Sequence, residues 1–388
     1  MKTTQVKVII PMKTLEKVAN DAVKCAETIN LIYVKDSQPG IDRKKSKNSF
    51  RYFFNGKKIE DEEILMRIKK LVLPPAWENV WICKKENGHL QATGTDVKGR
   101  KQYRYHSNWN KLRNETKYFR LYEFGKSIPA IREQLEKDIS LKELTLEKVL
   151  AAILMIMEKT TIRVGNSFYE KLYGSFGLTT LKDKHVKISG SQIKFTFKGK
   201  KGVEHMISLK SRRLAIIVKK CLDIPGKELF QFYDDNGNIH PIDSRMLNDY
   251  IKKISNQNFS SKDFRTWAGT VHALLKCKEL GDCDDEKEMK QNTIKILDAV
   301  AKHLGNTRTV CKKYYVHPLI ISLYENRKLE TYFRDFDESC VPYDLECEEK
   351  LLLHILNKEV SPVTFDGEKN PQKPEVHTSK QISAKKRA

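Results

Sequence analysis

The sequence predicts an α+β protein in which a small β-rich N-terminal domain precedes a mostly α-helical domain with an inserted β-hairpin or three-stranded sheet. Three observations support this fold class. Aromatic and β-branched runs separated by turn residues fill the first hundred positions. An apolar stripe with helical i, i+3, i+4 spacing begins at Leu146. Between His185 and Leu209, the period-two alternation that is typical of strands interrupts the helical pattern.

Turn residues divide the N-terminal region into short strands. Asn55-Gly56 follows an aromatic run and predicts a β-hairpin. A short helix is predicted over Ile59–Val72, and it cannot continue through Pro74-Pro75 because proline lacks the amide hydrogen that a helix interior needs. Two further strands are predicted, at Val80–Cys83 and His89–Ala92.

The helical pattern begins near Asn108 and is clearest in the stripe that ends at Met157. The alternating region predicts a hairpin around the turn Gly199-Lys200-Lys201-Gly202, with a third strand at Val186–Ser189. Further helical patterns lie at Arg212–Cys221, Ser244–Asn256, Thr270–Leu280, Glu286–Leu304 and Pro318–Lys328.

The net charge of +22 points to a polyanionic partner. Duplex DNA carries about one negative charge per 1.7 Å of its axis, so a basic protein gains affinity by releasing bound counterions. The alternative is a lysine-rich protein whose charge serves only solubility. No apolar run approaches the ~20 residues of a membrane span, and Val8–Ile10 is too short for a secretory signal. We therefore expect a cytoplasmic protein (nucleoid-associated if it is bacterial) that binds duplex DNA and no membrane.

A chain of 388 residues is long enough for two or three domains. We expect a β-rich domain at 1–105, a helical domain at 106–328, a C-terminal extension at 329–366 and a basic tail at 367–388. The tail has no apolar period, so we predict that it is disordered and adds non-specific affinity for DNA.

The chain contains neither a phosphate-binding loop of the G-x-x-x-x-G-K-[ST] type nor a cluster of acidic residues suited to two metal ions. We therefore expect no nucleotide cofactor and no metal. The eight cysteines form no C-x-x-C pair and are expected to be reduced thiols. Metal-free chemistry on DNA then needs a side-chain nucleophile, cations that hold the phosphate, and an acid for the leaving oxygen.

Four segments supply groups of these kinds. They are Thr160–Asn166 with one arginine, the lysine-rich hairpin turn, Lys262–Trp267 with a second arginine, and Leu304–Pro318 with a pair of tyrosines. Each has a plainer interpretation when taken alone. An arginine at a helix C-terminus complements the helix dipole, and lysines in turns are usually solvated.

Together, the four segments resemble the signature segments of bacterial and poxvirus type IB DNA topoisomerases, in the same order. The resemblance implies that Tyr315 is the nucleophile, that Arg163 and Arg265 hold the phosphate, and that Lys200 is the general acid. The family's phosphate-contacting residue precedes the nucleophile by nine positions, which is Asn306 in this chain. Poxvirus members have histidine there. Because asparagine can donate a hydrogen bond but carries no charge, we expect Asn306 to position the phosphate.

Some of these assignments leave alternatives open. Tyr314 is adjacent to Tyr315, and Lys198 and Lys201 could each replace Lys200 as the acid. Trp267 is expected to be a core aromatic rather than a DNA contact, and the nearby His303 and His317 are expected to be incidental.

The N-terminal region also resembles the family's DNA-clamping module, over Leu73–Trp77, Gly88–Gly94 and Asp96–His106. The resemblance implies five DNA-binding residues: Arg100, Lys101, Gln102, Tyr103 and Tyr105. Cations would supply affinity, whereas amide and phenol groups would position the duplex. The alternative for the two tyrosines is side-chain packing at i, i+2 on one face of a sheet.

The resemblance as a whole implies ATP- and metal-independent relaxation of supercoiled DNA through a 3′-phosphotyrosyl intermediate, by a monomer that clamps the duplex. The nearest alternative is a tyrosine recombinase or integrase. That family has His-x-x-Arg where this chain has Lys262-x-x-Arg265, and its N-terminal module is helical. A non-catalytic DNA-architectural protein would explain the charge but not four segments in order.

Overall fold

The computed structural model describes residues 6–10, 21–46, 49–234, 236–336, 346–359 and 363–367. The chain divides into two compact units, one of Met1–Thr116 with Ser361–Ala388 and one of Lys117–Val360. The tail predicted over 367–388 lies, after Gly367, outside the described residues. In the described part of the chain, no helix is long and apolar enough to cross a membrane.

The first unit is built on a six-stranded antiparallel sheet. Its strands and helices are β1 (Val6–Ile10), α1 (Ala22–Thr28), β2 (Ile41–Ser46), β3 (Ser49–Phe54), β4 (Lys57–Lys58), α2 (Glu62–Lys70), β5 (Glu78–Ile82), β6 (Leu90–Thr95) and β7 (Lys101–Tyr105). The strand order is β4-β3-β2-β5-β6-β7, and β1 pairs separately with β13 (Val363–Gly367). The predicted hairpin at Asn55-Gly56 is confirmed, because both residues have the positive φ of a tight hairpin turn. Helix α1 was not predicted.

The second unit is mostly helical. Its helices are α3 (Ser107–Ile139, from Lys117 onward), α4 (Leu146–Thr160), α5 (Ser167–Tyr173), α6 (Arg212–Leu222), α7 (Ser244–Ser255), α8 (Ser261–Leu280), α9 (Glu286–Leu304), α10 (Arg308–Tyr314), α11 (Pro318–Glu325), α12 (Leu329–Asp335) and α13 (Cys347–Lys358). The predicted three-stranded sheet is confirmed as β8 (Val186–Ser189), β9 (Gln192–Lys198) and β10 (Glu204–Lys210), in the order β10-β9-β8. A two-stranded sheet pairs β11 (Gln231–Tyr233) with β12 (Ile239–Pro241).

Helix α8 begins nine residues earlier than its predicted start at Thr270. Ser260 and Asp263 form a capping box that fixes the new start. The prediction was wrong because Arg265 and Thr266 are both buried on this helix, so polar residues stand where the apolar period expects hydrophobic ones. The third of the four segments, Lys262–Trp267, is therefore helical, and Arg265 lies in the second turn of α8.

Helices α12 and α13 belong to the core of the second unit, although the role of the predicted extension 329–366 was left open. Leu352 and Ile355 of α13 are fully buried in the same apolar cluster as α4, α8 and α9. The seven described cysteines are free thiols, as predicted, and Cys340 lies outside the described residues.

Candidate active site

The first predicted arginine follows helix α4 rather than belonging to it. Thr161 ends α4 in the left-handed conformation, with φ of 54°, which is uncommon for a β-branched residue. Beyond it, Arg163 Nη2 donates to the carbonyl oxygen of Gly305 at 3.0 Å and to Asn306 Oδ1 at 2.5 Å. Arg163 is therefore held by the segment that precedes the tyrosines, and not by the end of its own helix.

Arg265 is almost completely buried, with 5% of its surface exposed. Its Nη1 donates to the carbonyl oxygen of Thr161, and its Nη2 donates to that of Leu304 at 2.8 Å. Burial, together with the like charge of Arg163, lowers the pKa of Arg265 to about 10. The guanidinium thus remains a cation near neutral pH, but one that has lost most of its hydration.

The carbonyl groups that hold the two arginines lie at the C-terminal ends of two helices. Thr161 follows α4, Leu304 is the last residue of α9, and Gly305 follows α9. A helix C-terminus leaves its last carbonyl groups without helical partners and carries roughly half a negative charge, so it favours a nearby cation. We refer to Arg163, Arg265 and these three carbonyl groups as the arginine pocket.

Tyr315 is seated against α8 by its backbone. Gly269 lies one turn after Arg265, and a Cβ atom there would come within 2.6 Å of the Tyr315 carbonyl oxygen, so a larger residue would displace the tyrosine. Thr270 Oγ1 lies 3.3 Å from the same oxygen and accepts from the His317 amide at 3.1 Å. The guanidinium carbon of Arg265 is 5.3 Å from the centroid of the Tyr315 ring. One helix therefore supplies Arg265 and also fixes the backbone of Tyr315.

The alternative nucleophile, Tyr314, has different surroundings. It is the last residue of α10 and is 42% exposed, with its ring centroid 5.3 Å from Lys313 Nζ. Tyr315 is only partly exposed and lies beside Arg265. The geometry therefore favours Tyr315, since it is the tyrosine that adjoins the arginine pocket.

Two buried N–H groups in this region have no hydrogen-bond partner. They are Arg265 Nε and Asn306 Nδ2, and they make up half of the four such side-chain atoms found among the described residues. Buried polar groups are nearly always hydrogen-bonded in native proteins. A site with two unsatisfied donors and two arginines, which pair with no acidic side chain among the described residues, is suited to an anion with several oxygen atoms, such as a phosphodiester.

Lys200 lies apart from these groups, at the tip of the β9–β10 hairpin. Hydrogen bonds between Gly199 and Val203 and between Gly202 and Gly199 close the turn. The Lys200 side chain is exposed and makes no hydrogen bond or ion pair with any residue that the structure describes. The two alternatives, Lys198 and Lys201, are exposed as well. The structure thus brings Arg163, Arg265, Asn306 and Tyr315 together and leaves the lysine on a separate projection.

The five predicted DNA-binding residues of the first unit lie on or next to the edge strand β7. Arg100 and Gln102 both donate to Asp96, and the Arg100 guanidinium holds the Asp96 pKa at about 2. Lys101 forms an ion pair of 2.5 Å with Asp36. The Tyr103 and Tyr105 rings stack at i, i+2, with centroids 5.9 Å apart, so the packing alternative is observed, although Tyr103 stays 49% exposed.

Comparison with known proteins identifies the family. Residues 106–336 match the model of the eukaryotic DNA topoisomerase I catalytic core, which is more than half of the chain. The DNA topoisomerase 1B of Acanthamoeba polyphaga mimivirus is 34% identical over 301 residues, covering 75% of this chain and 89% of the relative. The chain belongs to the type IB DNA topoisomerase family. It is thus a DNA-binding isomerase, and the predicted family, fold class and enzyme class are confirmed.

Other matches are with bacterial and viral topoisomerases. Residues 49–96 match the N-terminal domain of bacterial DNA topoisomerase IB. The DNA topoisomerase 1B of Vaccinia virus (strain Copenhagen) is 28% identical over 278 residues, covering 68% of this chain and 82% of the relative. The DNA topoisomerase 1 of rabbit fibroma virus is 26% identical over 307 residues, covering 73% and 93%. The sequence left a bacterial and a viral origin open; the N-terminal match points weakly to the first, whereas these relatives are viral.

Three residues at the type IB site were not found from the sequence. Thr161 and Gly269 act through backbone geometry. His205 belongs to the β9–β10 hairpin that carries Lys200, here called the lysine hairpin, and lies against Gly305. A glycine inside a helical pattern is a recognised signal of close packing, so Gly269 could have been found. Trp267 is a core aromatic, as predicted, since it is 4% exposed and donates to Glu349. His317, which was expected to be incidental, caps α11 through its Nδ1 atom.

Proposed function

We propose that this protein relaxes supercoiled duplex DNA without ATP or a metal ion, through a transient 3′-phosphotyrosyl bond to Tyr315. The observation that carries the proposal is the arginine pocket beside Tyr315, with the buried and unsatisfied donors Arg265 Nε and Asn306 Nδ2. A bound phosphodiester would supply the acceptor oxygens that these donors lack.

Cleavage would proceed by in-line attack. The Tyr315 oxygen forms a bond to phosphorus while the bond from phosphorus to the 5′ oxygen breaks. The phenol releases its proton to solvent water, and the Lys200 ammonium donates a proton to the leaving 5′ oxygen. Religation is the reverse reaction, and it needs no external energy because one phosphodiester is exchanged for another.

The arginines would contribute by stabilising charge that develops on the non-bridging oxygens. Planar guanidinium groups match two phosphate oxygens with parallel hydrogen bonds. Because Arg163 and Arg265 are already held by helix ends, little reorganisation is needed at the moment of reaction. Arg265 also lies beside the Tyr315 ring, where its charge stabilises negative charge on the phenolic oxygen.

DNA binding would extend to the first unit. Strand β7 is an edge strand, and it presents Lys101, Tyr103 and Tyr105 on one face. In this proposal Arg100 and Lys101 exchange their carboxylate partners for DNA phosphates, while Gln102 and the tyrosines position the duplex. We propose that a single chain clamps DNA in this way, and that it acts in the cytoplasm on the DNA that it relaxes.

The test is plasmid relaxation in EDTA without ATP, using substrates with positive and with negative supercoils. The wild-type protein should relax both, and Tyr315→Phe should relax neither while it binds DNA with nearly unchanged affinity. Tyr314→Phe is the matched control and should remain active. Denaturation during the wild-type reaction should trap protein on a 3′ phosphate.

Two results would overturn the proposal. If Tyr315→Phe still relaxes DNA, the nucleophile is a different residue. If the wild-type protein relaxes no plasmid but joins paired specific sites, the activity is recombination.

A further inference from the structure

His205 lies opposite Phe197 in the lysine hairpin. The two residues are paired in the β9–β10 register, and their rings stack with centroids 5.0 Å apart and planes inclined by 22°. Neither ring nitrogen of His205 makes a hydrogen bond within the described residues. The imidazole therefore contributes to this region through its shape and its packing.

Two glycines make room for this ring. A Cβ atom on Gly199 would lie 2.5 Å from His205 Cδ2, and one on Gly305 would lie 2.7 Å from His205 Cε1. Gly305 also ends α9 with a positive φ of 58°, for which glycine is favoured in any case. Gly199 has a φ of −92°, which any residue can adopt, so its missing side chain is explained by the close approach of the imidazole.

The ring thus joins two parts of the proposed catalytic machinery. Gly199 immediately precedes Lys200, and Gly305 immediately precedes Asn306 and accepts a hydrogen bond from Arg163. A cavity of about 490 Å³ lies alongside, lined by residues of the hairpin and of the segments around Arg163 and Gly305. At the edge of this cavity, the packed ring is a direct contact between the hairpin and Gly305, so it can set the distance of the hairpin from the arginine pocket.

We propose that His205 is a positioning residue. It packs the β9–β10 hairpin against the Gly305–Asn306 segment and thereby fixes the position of Lys200. This inference rests on the proposed role of Lys200 as the general acid. Burial and the charges of Arg163 and Arg265 lower the pKa of His205, which favours the neutral form of the ring beside the two arginines.

The experiment is single-turnover cleavage of a DNA duplex by His205→Ala, with normal DNA and with DNA that carries sulfur in place of the leaving 5′ oxygen. A thiol, with a pKa of about 8.5, leaves without protonation far more readily than an alcohol, so the sulfur substrate bypasses the general acid. A misplacement of about 1 Å can cost on the order of 10²-fold in rate. We therefore expect His205→Ala to cleave normal DNA about 10²-fold more slowly at unchanged DNA affinity, and to recover most of this loss on the sulfur substrate.

Two further variants separate positioning from loss of folding. His205→Phe keeps a flat ring that can stack on Phe197, so it should retain most of the wild-type rate. Gly199→Ala should impair cleavage because its Cβ atom collides with the imidazole, and adding His205→Ala should then cause little further loss. The matched control is His240→Ala, since His240 also pairs with and faces a phenylalanine, Phe232, across a different hairpin.

The outcomes distinguish this inference from the proposed function. If Lys200→Ala is rescued by sulfur but His205→Ala is not, or if His205→Ala cleaves normal DNA at the wild-type rate, the positioning role is wrong and the general acid stands. If Lys200→Ala itself gains nothing from sulfur, the role of Lys200 in the proposed function is wrong.

Discussion

The arginine pocket and the lysine hairpin carry cations of the same proposed site, but they are constructed differently. Arg265 is 5% exposed and donates to the carbonyl groups that end two helices. Lys200 is exposed at a hairpin tip and pairs with no described residue. The arginines are thus part of the folded core, whereas the lysine is supported only by its hairpin.

The difference corresponds to two chemical tasks. Groups that stabilise charge on phosphate oxygens are most effective when they are fixed before the reaction begins. A general acid must approach one leaving atom and then release a proton, so an exposed ammonium on a projection is suitable. Variants of the two regions should therefore differ in stability as well as in rate.

The largest effect is expected from the arginine pocket. Arg265→Lys should slow cleavage by about 10²–10³-fold, the loss found when a preorganised donor to a developing oxyanion is removed. It should also lower the melting temperature, because a lysine cannot satisfy both the Thr161 and the Leu304 carbonyl groups. Arg212→Lys, at an exposed position on α6, is the control. A fully active Arg265→Lys protein would mean that the fork-shaped guanidinium is not required.

A change at the hairpin should slow cleavage without lowering the melting temperature. Lys200→Ala should slow cleavage by about 10²-fold, the lower end of the range for general acids, because Lys198 and Lys201 are close enough in sequence to replace it in part. Its melting temperature should equal that of the wild type, since the side chain is exposed and forms no hydrogen bond or ion pair with a described residue. Lys201→Ala is the matched control, and a larger loss for that variant would transfer the role of acid to Lys201.

Sequence reasoning named four side chains that the structure brings together, but it missed His205 and the main-chain groups that hold the arginines. Arg163, Arg265, Asn306 and Tyr315 belong to segments that resemble a known family, and the structure brings them together. The acceptors that hold the arginines are main-chain carbonyl groups. Every residue has such a group, so residue types do not indicate which carbonyl groups act as acceptors. Which helix ends meet is decided by tertiary packing, which no local pattern encodes.

The fold shows the same division between local and long-range information. The hairpin of β9 and β10 was predicted because its alternation is strong and local, with Ile193, Phe195 and Phe197 all buried. The start of α8 was missed because Arg265 is buried on its apolar face. The role of α13 could not be predicted, since Trp267 and Arg132, the partners of its buried Glu349, are more than eighty residues away in sequence.

Variants of Asn306 test what its buried Nδ2 donor contributes to the cleavage rate. Asn306→Ala should slow cleavage by about tenfold, because one hydrogen bond to a charged group contributes roughly 1.5 kcal/mol. Asn306→Asp keeps an oxygen that can accept from Arg163 but loses the Nδ2 donor and adds a negative charge. It should be slower than Asn306→Ala if the amide donates to phosphate. Equal rates for Asn306→Asp and the wild type would instead assign Asn306 to holding Arg163.

The smallest effect on catalysis is expected from a change in α13, which supports α8 through Glu349. Glu349 is buried, accepts from Trp267 Nε1 at 2.8 Å and pairs with Arg132 at 2.9 Å, and Trp267 lies two residues after Arg265 on α8. Glu349→Gln leaves the Arg132 charge less well paired, so we expect a loss of about 1–3 kcal/mol in unfolding free energy. Each kcal/mol lowers the melting temperature of a unit of this size by about 2–4 °C.

The cleavage rate of Glu349→Gln should fall by less than tenfold, because no atom of the pocket is removed. Glu330→Gln, at an exposed position on α12, is the control for both measurements. A large loss of rate with an unchanged melting temperature would contradict a purely structural role for α13. It would mean that this helix, beyond the residues that match the family's catalytic core, controls the position of Arg265 directly.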